Sequence, residues 1–184
     1  MFRIQEVFIL SLLFCSQAWA LDEFDGVKCG SEIPKALVGK RTSSQRAAVI
    51  EERHKDLGLK DLGGFEVSDR LFSTSWLICG SEFELLLDTK SGVIRDALQF
   101  PTHSRNSPMF IGGCQINGRE MPETVMAVLD NRAGYNARDG LKAKILLKAT
   151  SAWKIDEARE RFAAISTESL SCALGGVVTS DGGP

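Results

Sequence analysis

Two histidines, five cysteines and a scatter of carboxylates are the side chains of this 184-residue sequence that offer chemistry. His103 stands beside Ser104, Arg105 and Asn106, in a stretch bounded by Pro101 and Pro108. A general base can work from such a loop, because sites concentrate on loops held by a rigid scaffold. His54 shares an apolar stripe with Ala47, Ile50 and Leu57. A half-buried ring with its nitrogens hydrogen-bonded is the plain expectation there. Asp96 falls in phase with Ile94, Leu98 and Phe100, which puts a carboxylate on an inward strand face. Burying a charge is costly unless it is paired. Three outcomes are open: a bulge that turns Asp96 outward, a partner such as Arg70 or Arg95, or a ligand site. His103, Asp96 and His54 are therefore the candidates for a hydrolytic centre, but no partner spacing assigns a catalytic role to any of them. Asp88 and Asp96 form a further carboxylate pair of the kind glycoside hydrolysis uses. With 24 acidic residues in the chain, such a pair carries no weight by itself.

Familiar site motifs are missing. There is no G-x-G-x-x-G, P-loop, G-x-S-x-G or H-E-x-x-H pattern. No C-x-x-C spacing exists, so zinc finds no natural ligand set. Asp130, Asn131, Asn136 and Asp139 offer oxygens, yet that composition is usual for a turn-rich loop. Gly112-Gly113 leads into Cys114 and marks a bulge or close packing. No cofactor and no metal site is expected. The net charge of −2 supplies no basic excess for nucleic acid. Trp76 and Trp153 lie within apolar patterns, where core packing is the default. Exposed, the pair would be a binding platform for a glycan or a peptide.

The cysteines point to a compartment. Residues 1–20 resemble a secretory signal: Arg3, an apolar run from Val7 to Cys15, and the A-x-A site Ala18-Trp19-Ala20. The run is too short to span a bilayer, and no later segment is long enough. No stable membrane span is expected after cleavage. Cleavage after Ala20 removes Cys15 and leaves Cys29, Cys79, Cys114 and Cys172. An even count in an exported chain is the disulfide pattern. Of three possible connectivities, Cys79–Cys114 and Cys29–Cys172 are favoured. The chain should thus act in the periplasm or outside the cell, with residues 21–184 as one domain.

The elements that must position these residues follow from periodicity. Residues 21–28 look like an acidic, solvated lead-in to Cys29. A short helix starts near Pro34, with Ser31 as its cap and Gly39 as its stop. A second helix covers 44–57 and stops at Gly58. Glycines at 58, 63 and 64 then mark a turn. Period-two alternation predicts strands through Leu71–Cys79, Phe83–Asp88 and Ile94–Phe100, in meander order. Further strands are expected at Phe110–Ile116, Thr124–Leu129 and Ala143–Ala149, with a turn at Asn117-Gly118. From Trp153 to Ala164 helix propensity favours a short helix over a hairpin. Ser180–Pro184 reads as a frayed tail. The expected fold is α+β: an antiparallel meander of about five to six strands, one or two N-terminal helices, a short C-terminal helix and two disulfides. The function that fits is an exported, disulfide-stapled binding module for an envelope protein or a glycan, or with an inhibitor-like role. A secreted hydrolase without a recognisable motif is the alternative.

Overall fold

The computed structural model describes residues 21–30, 32–104, 106–135 and 145–173. The expected signal at 1–20, the cap at Ser31, Arg105, the oxygens of Asn136 and Asp139, the start of a strand at Ala143 and the tail from Ser180 lie outside these residues. Among them no helix is long and apolar enough to cross a membrane.

Two helices come first, α1 (Ile33–Leu37) and α2 (Ala47–Arg53), and a 3-10 turn follows at Lys55–Leu57. Pro34 stands in the first turn of α1, where its missing N–H has no partner to lose. The helix is shorter than the expected 44–57, yet the stripe is buried: Ile50 in α2, His54 just after it and Leu57 in the 3-10 turn. Gly58 closes the 3-10 turn in the left-handed conformation.

Four antiparallel strands form the first sheet in chain order: β1 (Lys60–Glu66), β2 (Leu71–Ile78), β3 (Ser81–Asp88) and β4 (Ile94–Gln99). The meander β2–β4 matches the alternation. β1 does not, since its glycines read as a turn. They instead allow a register shift between Asp61 and Gly63 and a close approach to β2. A Cβ at Gly64 would come within 2.4 Å of the Ser73 carbonyl oxygen. Trp76, Ile78, Phe83, Leu85 and Ile94 pack under Phe24, Ile33, Leu37, Ile50 and Leu57. This first core lies between the helical layer and one face of the sheet.

The second sheet contains β5 (Met109–Gly112), β6 (Cys114–Ile116), β7 (Arg119–Glu120), β8 (Val125–Leu129), β9 (Leu146–Asp156), β10 (Arg161–Ala164) and β11 (Leu170–Ala173). Its order is β5-β8-β9-β11-β6-β7, with β10 also paired to β9. The described residues therefore build sheets of four and seven strands, not one meander of five or six. The C-terminal helix expected at 153–164 is a hairpin, with Trp153 opposite Ala164 and Asp156 opposite Arg161. Tertiary pairing overrides propensity there, because β9 is already laddered to β8 and Ile155 is buried against Leu71 and Leu86. Leu71 and Leu86 belong to the first sheet, so this cluster joins the two sheets. Phe100, Met109, Met126 and Val128 form a second such cluster.

Both disulfides exist, but the favoured pairing is wrong: the bonds are Cys29–Cys79 and Cys114–Cys172. Cys79 and Gly80 are the two central residues of the β2–β3 turn, both with positive φ. That turn reaches the N-terminal segment, whereas Cys114 and Cys172 face each other in register across β6 and β11. Linear spacing carries no information about which strands become neighbours. Intramolecular disulfides fit an oxidising compartment.

The lead-in at 21–28 is also corrected. Asp22, Glu23, Phe24 and Val27 are buried, and Phe24 alone contributes about 2 kcal/mol of apolar burial. The acidic residues tolerate this because distant basic groups meet them. Arg53 Nη1 donates to Asp22 Oδ2 at 2.7 Å, and His54 Nε2 lies 2.8 Å from Asp22 Oδ1. Lys40 Nζ donates to the carbonyls of Glu23 and Asp25 at 3.0 and 2.7 Å.

Candidate functional site

The register of β2 and β3 sets Ser75 opposite Glu84 and Leu77 opposite Glu82. Period two then gathers Ser73, Ser75, Glu82, Glu84 and Leu86 on the face opposite the helical layer. In an isolated meander this face would be wet. Here the second sheet covers it, so Ser73, Ser75, Glu82 and Glu84 are all buried.

The two glutamates meet burial differently. Glu84 is saturated: Ser73 Oγ donates to its Oε2 at 2.9 Å, and Ser75 Oγ donates to its Oε1. Burial nevertheless holds its carboxyl above the ordinary carboxylate range, against the hydroxyl bonds that favour the charged form. Glu82 has far less. His103 Nε2 stands 3.5 Å from its Oε2, while Oε1 is buried with no hydrogen-bond partner. Its side chain is only 7% exposed, and burial raises its pKa too.

Glu82 lines two spaces. One is a cleft of about 550 Å³ between the β2–β3 turn and the segment after β4, with Lys60, Gly80, Gln99, Phe100 and His103 in its walls. The Phe100 N–H donates to the Glu82 carbonyl at 2.8 Å and fastens this segment to β3. The Phe100 ring sits 6.2 Å from His103 and 5.5 Å from Trp153. The other space is an inter-sheet cavity of about 310 Å³, walled chiefly by Leu62, Phe65, Met109 and Ile111, with Ser75 and Glu82 as its polar residues beside Thr124.

The three histidine and aspartate candidates are not brought together. His54 is bound to Asp22 on the helical side, where its ring is edge-on to Phe24. Asp96 lies on the opposite face, half-buried. It accepts the Phe162 N–H at 2.8 Å and so ties β10 to β4. A bulge does sit beside it, between the Leu86–Asp96 and Leu87–Ile94 pairs. Neither arginine is its partner. Arg95 pairs with Asp88 and Glu160, and Arg70 with Glu160. The Arg95 guanidinium holds the Asp88 carboxyl far below the usual range. His103 lines the cleft described above, and its companion is Glu82, which the alternation gives no reason to single out. Trp76 is a core residue packed on Phe24, and Trp153 is half-buried against Phe100.

Asp22, Asp25 and His54 place three ligand atoms within 4.8 Å of one another. The Asp22 oxygens already serve Arg53, His54 and the Phe24 N–H. With a guanidinium at 2.7 Å, this is an ion-pair clasp. In the polar loop, Asp130 is held by Arg132, and the Asn131 side chain bonds both backbone groups of Tyr135.

Comparison with known protein families, curated proteins and solved structures finds no match to this chain.

Proposed function

We propose that residues 21–184 form a single exported, disulfide-stapled binding module whose target seats in the Glu82–His103 cleft. The observation that carries this reading is the buried Glu82 Oε1 left without a donor. Buried polar atoms are nearly always paired, and an unpaired one costs about 1–3 kcal/mol. A target donor restores the pairing. The separate engagements of His54 with Asp22 and of Asp96 with Phe162 favour binding over hydrolysis by those residues. A glycan or a protein of the cell envelope remains the natural target class.

The test is a fragment screen by nuclear magnetic resonance on the isotope-labelled, oxidised protein, with sugars, peptides, amines and carboxylates as separate pools. Binders should shift the amides of Gly80, Ser81, Glu82, Thr102 and His103. Hits that cluster elsewhere, or no hits at all, would remove the cleft from consideration.

A further inference from the structure

Glu82 stands where the cleft meets the inter-sheet cavity, since its side chain lines both. The cavity is apolar over most of its wall, with Leu62, Phe65, Met109 and Ile111 supplying carbon surface. Its two other polar residues have no claim on Glu82: the Ser75 hydroxyl already donates to Glu84, and Thr124 makes no bond to it. The buried side-chain atom left unmet at this wall is thus a carboxylate oxygen, an acceptor by nature. Glu84 lies two residues along the same strand face, so two acids share the layer. Lys60 and His103 are the basic residues nearby, and both line the cleft but not the cavity.

We infer that the inter-sheet cavity binds a small primary amine with an apolar body, its ammonium on Glu82 Oε1 and its body among Leu62, Phe65, Met109 and Ile111. This rests on the binding reading above in using the same unpaired Glu82 oxygen, approached from the inter-sheet side and not from the cleft. An ammonium supplies three donors and a positive charge, which suits a desolvated carboxylate better than a hydroxyl does. A carboxylate ligand would add a third acid to the layer and is excluded on charge. The size is bounded as well. About 310 Å³ is the liquid volume of roughly ten waters, room for a ring with a short chain and little more.

Isothermal titration calorimetry on the oxidised protein tests this with a matched set: 2-phenylethylamine, 2-phenylethanol and 3-phenylpropionate. The amine should bind, the alcohol should bind at least about tenfold more weakly, and the carboxylate should not bind. Glu82→Gln keeps the shape and removes the charge, and should reduce the amine to the level of the alcohol. Ile111→Trp fills the cavity and should abolish both. Equal binding of amine and alcohol to the wild-type protein would overturn the inference, and that arm needs no variant to fold. Amine binding unchanged in either folded variant would overturn it too. If sugars or peptides shift the cleft amides but no amine binds, the amine inference falls and the cleft reading stands. If nothing shifts those amides and no amine binds, both fall.

Discussion

Asp22 and Glu82 are both buried carboxylates within one small protein, yet their surroundings are opposite. Asp22 is met by a guanidinium, an imidazole and a backbone N–H. Glu82 faces one imidazole at 3.5 Å and keeps a bare oxygen. The first arrangement is closed, and adding a ligand would mean breaking bonds already made. The second is open on the side that faces two cavities. Burial by itself therefore says little about function. What separates a tie from a site is whether the hydrogen-bonding capacity is used up.

The largest effect should come from the bond that holds the closed side in place. Removing Cys29–Cys79 with paired serine substitutions opens a link across 50 residues and should cost about 4 kcal/mol in the chain-entropy account. Urea unfolding measures it, and a loss below about 1 kcal/mol would mean that the N-terminal layer needs no staple. Next is Asp22→Ala, which takes from Arg53 and His54 the carboxylate they share. Breaking a buried pair from one side should cost about 3 kcal/mol by the same measurement. A near-neutral result would show that the clasp is decoration.

A smaller effect is a slope in pH on the open side. Burial raises the folded-state pKa of Glu84 above 4.5. The folded protein then holds a proton that the unfolded chain has released, so stability is greatest below the unfolded pKa. It falls as pH rises through the window up to the folded pKa. Glu84→Gln should flatten that fall. His103, Glu82, Ser73 and Ser75 face the same layer, and Glu23 adds a slope of the same sign from the closed side. Unfolding of wild type and variant at matched pH isolates the difference, and identical slopes would refute the assignment. The smallest effect belongs to Glu82→Leu, which should change stability by no more than about 1 kcal/mol, or raise it, because the side chain gives up only its 3.5 Å contact with His103. A loss comparable to that of Asp22→Ala would erase the contrast between the two acids.

The first sheet was largely legible in the sequence, and the candidate site was not. Alternation from Leu71 to Phe100 gives β2, β3 and β4 because each has one apolar face on the helical core. The stripe through Ile50, His54 and Leu57 gives α2 for the same reason. The same alternation hides Glu82 and Glu84, since polar residues on the second phase imply water and here meet another sheet. Asp22 misleads in a related way: its partners Arg53 and His54 are 31 and 32 residues away, so an acidic run looks solvated. The hairpin at 153–164 was lost to local propensity, which knows nothing of β8 on the other side of β9. His103 was named as a candidate for the right kind of reason, a histidine on a loop, while its acid companion came from a strand that offered no signal.

The order in which the cysteines pair has a consequence for biogenesis. Among the four disulfide cysteines the first joins the second and the third joins the fourth. In any chain that enters an oxidising compartment amino end first, Cys29 and Cys79 are the first two of these four to arrive, and they are partners. Once that bond is closed, Cys114 and Cys172 are the two of the four that remain, so a sequential connectivity leaves the second pair no choice among them.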